Sequence, residues 1–333
     1  MIPMGDAGFD PYCWRKTAVL RDETTMNMTH RNYDDVLGDF MRLTDFMLDH
    51  AEDVRAYSTW CIGRLVSWKY DIYTPKKAVP DFWNENAHLW FDGFSRLVGF
   101  ALSEYGRSDF AIITLAGYRF LFEEMLQWVL ANWGDRGAET EIEIREGQEL
   151  EAAVLRRYGF QQMGTFFTEA FDLRNDLPPR HPLEEGFTIV DMAAHPDYRQ
   201  QRILRANAFQ GQNDLSEEEL QQQMLFYGHS RQGPIYHPQL DLCVMAADGR
   251  FVSGCEALMD AHNGEADIEI VCTHSDFRRR GFARAVIQEC LYRLQEIGYQ
   301  KAYIAGYSPE AIGLYASLGD SETMTNLIYK QDD

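Results

Sequence analysis

Length, composition and charge limit what this protein can be. The chain has 333 residues, of which 45% are hydrophobic, and a net charge of -21. Its length suits two domains of about 150 residues each. Such an acidic chain argues against non-specific binding to nucleic acid, because counterion release from phosphates requires a basic surface. It would suit a cationic amine ligand, although an acidic excess commonly serves solubility alone.

No apolar run approaches the roughly 20 residues that cross a bilayer, and the N-terminal residues lack the apolar core of a signal peptide. We therefore expect a soluble, cytoplasmic protein with no membrane partner. The six cysteines show no CxxC spacing, and the nine histidines form no HExxH or Cys/His ligand pattern. The sequence predicts buried free thiols and no bound metal.

The first half of the chain shows three strand patterns followed by a helix pattern. The predicted strands span residues 88–92, 96–104 and 110–115, and the predicted helix spans 121–133. Asp92-Gly93 is a hairpin signal between the first two strands. Aromatic residues are dense from Trp60 to Trp90, where they either belong to the core, the more common case, or line a pocket or a domain interface.

A proline-rich segment separates this region from the next one. Residues 174–186 read RNDLPPRHPLEEG, and prolines remove backbone hydrogen-bond donors and favour extended structure. We predict a first domain at 1–173, a linker at 174–186 and a second domain at 187–333.

Strands and helices follow closely after the linker. In chain order we predict a strand at 187–190, helices at 198–209 and from Ser216, strands at 242–246, 251–258 and 268–273, a helix at 283–298, a strand at 302–305 and a helix at 311–318. Glu219 completes a capping box with Ser216, and Asp248-Gly249 joins two of the strands as a hairpin. Apolar residues from Ala283 onward recur at spacings of three and four, which predicts one buried helix face.

Four arginines lie within seven residues at the start of that helix, namely Arg278, Arg279, Arg280 and Arg284. The free NH groups and the positive dipole end of a helix N-terminus attract anions. Gly281 allows a ligand to approach the backbone closely because it has no side chain. The spacing is neither a P-loop nor a dinucleotide-binding fingerprint. It favours a pyrophosphate site at this strand-to-helix junction.

The two halves of the chain also resemble each other. Residues 114–119 (TLAGYR) match 273–278 (THSDFR) at an offset of 159 (273 minus 114). Residues 154–159 (VLRRYG) match 314–319 (LYASLG) at an offset of 160 (314 minus 154). Because the order and spacing of the elements agree as well, the pattern indicates a divergent duplication.

The strand-to-helix junction of the second half resembles the GNAT superfamily of N-acetyltransferases. The family motif, Gln/Arg-x-x-Gly-x-Gly/Ala, appears here as Arg278-x-x-Gly281-x-Ala283. The resemblance is strong over residues 187–330 and faint over the first half.

A second family signature, roughly Asn-x-x-Ala-x-x-Leu-Tyr-x-x-x-Gly-Phe, supports the same resemblance. It runs from Ser308, in place of the asparagine, to Asp320, in place of the phenylalanine, and it keeps the tyrosine as Tyr315. In the first half, Phe122 and Leu155 occupy the places of the motif glycine and of this tyrosine. The resemblance therefore implies a tandem-GNAT arrangement with a degenerate N-terminal copy that no longer binds CoA.

The resemblance also implies the fold and the cofactor. The expected fold is α/β (α+β): two tandem GNAT-like domains, each a mixed, mostly antiparallel twisted sheet flanked by helices and splayed between its fourth and fifth strands. Acetyl-CoA, as co-substrate, would lie in the splay. The residues implied to contact it are Val271, Cys272 and Thr273 along the pantetheine arm, Ser308 at a polar contact, and Arg278, Arg279, Arg280, Gly281, Phe282 and Ala283 around the pyrophosphate.

Catalysis in this family is direct attack of a neutral amine on the thioester. The resemblance therefore implies a backbone NH at 271–273 for the oxyanion and a carboxylate base for the amine proton. Glu269 is our first candidate and Asp267 the second, because strand alternation would place both on one face with Val271. A purely structural carboxylate is an equally consistent interpretation of Glu269. The resemblance aims the phenol of Tyr315 at the sulfur of CoA, as donor to the departing thiolate.

The sequence thus predicts an acetyl-CoA-dependent N-acetyltransferase that acts on a primary amine of a small molecule or of a protein. The alternative is a non-catalytic acyl-CoA-binding regulatory or interaction module, which the degenerate first half and the two signature departures would suit. We expect acetyl-CoA and an amine acceptor as partners, and no nucleic acid. The oligomeric state stays open between a monomer and a homodimer.

Overall fold

The computed structural model describes residues 27–70 and 81–332. Cys13 and Tyr73, which belong to the cysteines and the aromatic stretch noted above, lie outside these ranges. Within them, the chain folds into alternating strands and helices, and no helix is long and apolar enough to cross a membrane.

Both halves present the same succession of elements. The first half contains β1 (Thr29–Asn32), α1 (Asp39–Asp49), α2 (Ala51–Tyr57), α3 (Ile62–Tyr70), α4 (Phe82–Asn86), β2 (Ala87–Phe91), β3 (Leu97–Leu102), β4 (Asp109–Thr114), α5 (Phe122–Trp133), β5 (Glu139–Arg145), α6 (Glu149–Arg157) and β6 (Gln161–Asp172). The second half contains β7 (Phe187–Asp191), α7 (Tyr198–Gln210), α8 (Glu217–Ser230), β8 (Tyr236–Ala246), β9 (Phe251–Asp260), β10 (Glu265–Thr273), α9 (Phe282–Glu296), β11 (Lys301–Gly306), α10 (Pro309–Tyr315) and β12 (Glu322–Asp332). Each half therefore runs strand, helices, three strands, helix, strand, helix, strand.

The strands form one mixed sheet in the order β1-β2-β3-β4-β5-β12-β6-β11-β10-β9-β8-β7. Only β4 with β5 and β10 with β11 pair in parallel among the described strands, and the other neighbours are antiparallel. The sequence predicted two mostly antiparallel sheets, and the structure joins them edge to edge. The junction is an exchange, because β12 of the second half pairs with β5, while β6 of the first half pairs with β11.

The exchanged strands contribute to the core of the opposite half. Tyr329 of β12 belongs to the cluster built from α1, α3, α5 and β2 to β4, whereas Phe171 of β6 belongs to the cluster between α9 and β8 to β11. Burial of apolar surface is the main favourable contribution to folding. The two halves therefore stabilise each other through these strands.

Local signals in the second half correspond closely to the structure. The predicted capping box at the start of α8 is present: the Ser216 amide donates to Glu219 Oε2 at 2.9 Å, and the Glu219 amide donates to Ser216 Oγ at 3.2 Å. The predicted linker, residues 174–186, consists of turns and irregular backbone throughout. Four strands had no predicted counterpart, namely β1, β5, β6 and β12.

We expect Asn326→Ala to destabilise the protein by about 1–3 kcal/mol, because the buried polar groups it serves would lose their partner. Asn326 is fully buried in β12; its Oδ1 accepts from Arg145 of β5, and its Nδ2 donates to Thr168 Oγ1 of β6 at 3.1 Å. Urea denaturation would measure the change in the free energy of unfolding. Asn132→Ala, at an exposed helix position, should change it by less than about 0.5 kcal/mol. Equal effects of the two substitutions would show that the contacts of Asn326 with β5 and β6 do not stabilise the exchanged strands.

Candidate active site

The site lies where two parallel strands part. β10 and β11 pair at three positions, Glu265 with Lys301, Ala266 with Ala302 and Asp267 with Tyr303. Beyond these pairs, β10 continues along β9 and β11 continues along β6. A gap therefore opens at residues 268–273 and 304–306, between the fourth and fifth strands of the second half, as the resemblance implied.

A β-bulge shapes one edge of this gap. The register of β10 against β9 shifts between Glu269 and Cys272, and Ile270 adopts a left-handed backbone conformation with φ of 52°. A bulge disturbs the alternation of side chains along a strand, and Val271 consequently packs against the core cluster that contains Ile268. The prediction that Val271 shares a face with Glu269 is wrong, because simple alternation takes no account of the bulge.

The bulge also decides which backbone groups are available. Cys272 and Thr273 resume the register opposite Gly254 and Ser253, whereas Ile270 and Val271 have no partner position on β9. The carbonyl of Cys272 accepts a hydrogen bond from Ser253 Oγ at 2.8 Å. Three residues were predicted along the pantetheine arm. Of these, Val271 is the one whose backbone has no partner position on β9 and is therefore open to the gap.

Glu269 carries an unpaired carboxylate at the gap. Among the residues that the structure describes, none donates a hydrogen bond to it or forms an ion pair with it. The side chain is exposed to solvent within the cleft, and the protein atoms around the cleft remove part of its hydration. This desolvation raises the pKa of Glu269 to about 7; the negative charge of Asp267 adds to the rise and Arg64 opposes it. Such a pKa suits a general base at neutral pH.

Asp267, the second candidate for the base, is already engaged. Its two carboxylate oxygens accept from Arg55 Nη1 and Nη2 at 3.2 and 3.3 Å. Both of its oxygens thus already have a donor, whereas those of Glu269 have none among the described residues. The structure therefore favours Glu269 over Asp267.

Tyr315 ends α10 with its side chain buried against β11. A Cβ atom added to Gly306 would lie 3.1 Å from the Tyr315 ring, so the glycine makes room for the phenol. Burial raises the pKa of Tyr315, and the negative charge of Glu269 adds to the rise. The phenol therefore stays protonated at neutral pH and is available as a donor. Ser308, at the start of the same helix, caps it by accepting from the Ala311 amide at 3.2 Å.

The predicted pyrophosphate loop forms a left-handed turn into α9. Gly281 is the N-cap with φ of 81°, and Arg279 is also left-handed with φ of 62°. Arg280 Nε donates to Glu184 of the linker at 3.0 Å, while Arg284 Nη2 donates to Ser317 Oγ at 2.6 Å. The structure thus gathers the arginines at the helix N-terminus but ties Arg280 to the linker.

The linker itself covers part of this loop. A Cβ atom on Gly281 would lie 2.3 Å from Nε2 of His181, and the His181 amide donates to Gln288 Oε1 of α9 at 2.8 Å. Gly281 is therefore required by the packing of the linker as well as by its backbone conformation. No local sequence pattern predicts this contact, because 100 residues separate the two positions (281 minus 181).

A cleft of about 630 Å³ connects the gap with the first half of the chain. Its wall combines residues from α2, α3, α7, β9, β10 and β11. Several lining residues are aromatic, among them Trp60, Tyr70, Phe166, Phe209, Tyr303 and Tyr307. The aromatic residues between Trp60 and Trp90 were predicted either to belong to the core or to line a pocket, and both occur. Trp68 and Trp90 are fully buried core residues, whereas Trp60 and Tyr70 line the cleft.

Charge in the cleft is largely compensated by arginines that the sequence did not single out. Arg64 bonds to Glu104 at 3.0 Å, and Arg205 bonds to Glu256 at 3.1 Å. With Asp267 held by Arg55, three of the four carboxylates that line the cleft are ion-paired, and Glu269 is the fourth. Among the described residues, Glu269 is therefore the one carboxylate of the cleft that no arginine holds.

Comparison with known proteins agrees with this geometry. The model of the acetyltransferase (GNAT) family matches residues 207–320. These residues form a GNAT domain. No curated protein sequence gives a significant match to the chain.

Solved structures share the fold over most of the chain. A GCN5-related N-acetyltransferase from Sphaerobacter thermophilus has a TM-score of 0.63 at 17% identity and covers 92% of this chain and 95% of its own. A tandem GNAT protein from the clavulanic acid biosynthesis pathway has a TM-score of 0.62 at 13% identity, with coverage of 92% and 98%. A GNAT-family acetyltransferase from Colwellia psychrerythraea has a TM-score of 0.54 at 13% identity, and the match covers 91% of this chain and 100% of that protein. The fold is therefore a tandem GNAT arrangement that includes the first half.

The first GNAT copy lacks the loop that the second copy has. At the corresponding place, a 3-10 helix (Ala116–Leu121) leads directly into α5, and the Phe122 amide donates to the carbonyl of Arg119. Arg119 in turn bonds to Glu151 Oε1 at 2.7 Å. The helix N-terminus is thus closed by helical hydrogen bonds and by an ion pair, which agrees with a degenerate copy.

We expect Gly281→Ala to cost more stability than Gly298→Ala. Both glycines have positive φ, so alanine is strained by about 1–2 kcal/mol at either position, but only Gly281 is crowded by His181. In the double variant His181→Ala/Gly281→Ala, the loss of stability should fall back toward that of Gly298→Ala. Urea denaturation would measure all three, and a Gly281→Ala cost no greater than that of Gly298→Ala would disprove the crowding.

Proposed function

We propose that this protein is an acetyl-CoA-dependent N-acetyltransferase that acylates a primary amine of a small molecule. The observation that carries the proposal is the unpaired Glu269 carboxylate at the gap between β10 and β11, with the phenol of Tyr315 nearby. The GNAT domain supports acyl transfer in general, and these two side chains supply what an amine acceptor requires.

The small-molecule class follows from the shape of the cleft. Its volume of about 630 Å³ falls within the roughly 300–1,000 Å³ of small-molecule sites. Helices α2 and α3 of the first half form one of its walls, and aromatic residues from both halves line it. We expect the acceptor to be a cationic amine attached to an apolar or aromatic body.

The proton inventory defines the roles of the two side chains. An alkylamine has a pKa near 10.4, so it enters as an ammonium ion, attracted by the uncompensated charge of Glu269. Glu269 takes one proton, and the free amine attacks the thioester carbonyl. The open backbone NH at Val271 would stabilise the oxyanion. The phenol of Tyr315 donates its proton to the departing thiolate, and the second amine proton restores the phenol. The products are the amide, the thiol and one released proton, so the reaction balances.

Wild-type protein should release thiol from acetyl-CoA only when an accepted amine is present. The value of kcat/KM should rise with pH around 7, because Glu269 must be ionised to accept the proton and its pKa is about 7. Glu269→Gln should lower kcat by about 10²–10⁴ and abolish this pH dependence. The control is Glu141→Gln, a strand carboxylate paired with Lys330 at 2.9 Å outside the cleft, which should keep the wild-type profile. Acetyl-CoA binding without turnover on any amine would instead support the non-catalytic module.

Tyr315→Phe should lower kcat by about 10² and leave CoA affinity nearly unchanged, because the phenol acts on the leaving thiolate rather than on the bound cofactor. Isothermal titration calorimetry with CoA and steady-state kinetics would separate the two quantities. Tyr329→Phe, in the core of the opposite half, is the matched control. If the two variants showed the same kcat, Tyr315 would have no donor role.

A further inference from the structure

Three carboxylates stand in a row across the sheet behind the cleft. Asp241 of β8 lies opposite Glu256 of β9, and Glu256 lies opposite Glu269 of β10. Residues directly opposite on antiparallel strands share a face, with Cβ atoms about 4.5–5.5 Å apart. Glu269 is therefore the cleft end of a continuous row of acids.

The hydrogen-bond donors decrease along this row toward the cleft. Asp241 accepts from Gln201 Nε2 at 2.6 Å, from the Tyr236 hydroxyl at 3.0 Å and from Arg205 Nη2 at 3.4 Å. Glu256 accepts from the same Arg205 nitrogen at 3.1 Å, and no described residue donates to Glu269. Donors stabilise the ionised form of a carboxyl group. Glu256 and Glu269 therefore have the fewest donors in the row to stabilise two negative charges side by side.

Glu256 also borders two cavities. It lines the cleft and, with Asp241 and Tyr198, a second cavity of about 10 Å³ on the α7 side. That volume approaches the space that one water molecule needs. Glu256 therefore borders a second small space besides the cleft in which the amine would lie.

We propose that Glu256 is a positioning residue for the base: Glu256 and Glu269 share one proton across the β9–β10 pair, and this sharing sets the protonation of Glu269. The inference rests on the proposed function of Glu269 as base. When Glu269 takes a proton from the ammonium ion, the pair holds two protons, and it releases one to water through Glu256. The pair returns to its single proton, and no other reactant is needed.

The environment of the pair agrees with shared titration. Burial raises the pKa of Glu256 to about 7; the charge of Asp241 adds to the rise, and Arg205 and Arg202 oppose it. The pKa of Glu269 is also about 7, and the negative charge of Glu256 contributes to its rise after burial, Asp267 and Glu104. The charged and titratable groups that face the pair are Arg55 of α2, Cys61 and Arg64 at α3, Glu104 after β3, Arg202 and Arg205 of α7, Tyr236 and Asp241 of β8, Asp267 of β10, Tyr303 and Tyr307 at β11, and Tyr315 of α10.

The first test needs no activity. Carboxyl ¹³C NMR of glutamate-labelled full-length protein would follow both side chains between pH 4 and pH 9 by about half-unit steps. In Glu256→Gln, which keeps an acceptor for Arg205, the midpoint of Glu269 should fall by about one unit, because a negative neighbour is lost. In Glu269→Gln the midpoint of Glu256 should fall by a similar amount, since the coupling is reciprocal. Glu256→Asp keeps the charge and should keep the Glu269 midpoint near 7.

The second test measures kcat/KM of the same variants against pH. The rising limb should move to lower pH by about the same one unit in Glu256→Gln and stay in place in Glu256→Asp. Unchanged NMR midpoints in the Glu→Gln variants would overturn the shared proton. If only one of the two variants folds well, it is enough, because each variant reports on the carboxylate that remains. Unchanged NMR midpoints with amine-dependent turnover would refute only the pairing. Shifted midpoints without turnover in wild type would refute only the proposed function.

Discussion

The site depends on how Arg55 fixes the point at which β10 and β11 part. Its guanidinium bonds to Glu265 and Asp267 of β10 and stacks on the ring of Tyr303 of β11 at 3.5 Å. Asp267 and Tyr303 are the last pair before the gap. A planar guanidinium can use its edge for carboxylates and its face for an aromatic ring at the same time. Because Arg55 belongs to α2, the first half of the chain sets where the second half opens.

The strand exchange gives this dependence a second physical basis. Past the parting point, β11 is paired through β6, a strand of the first half, while β10 is paired through β9. Each edge of the gap is therefore held by a different half. A copy that has lost its own anion-binding loop can still be retained, because removing it would leave β11 with unpaired backbone groups along its length, and buried groups of that kind are costly.

The sequence predicted the site where a single segment determines it, and not where distant segments meet. The arginine loop, α9 and Tyr315 follow from local motifs, and the splay follows from the family resemblance. The bulge at Ile270 could not be predicted, since a β-branched residue is among the least suited to positive φ. Strand β5 does carry a half-buried strand pattern, since Thr140, Ile142 and Ile144 alternate with charged residues, and our prediction overlooked it. Strand β12 mixes polar and apolar residues without such alternation, so hydrophobic periodicity does not reveal it. The contact of His181 with Gly281 depends wholly on the path of the linker.

The distribution of charge explains how so acidic a chain can present one useful carboxylate. A net charge of -21 would bind cations without selectivity if it were spread through the cleft. Arg55, Arg64 and Arg205 instead neutralise the acids of the cleft wall and link the elements that form it. Buried ion pairs contribute little net stability, because the desolvation of both charges offsets their attraction. Under the proposed function these pairs would serve selectivity, because Glu269 is the one described carboxylate of the cleft that no arginine holds and so is free to bind an ammonium group.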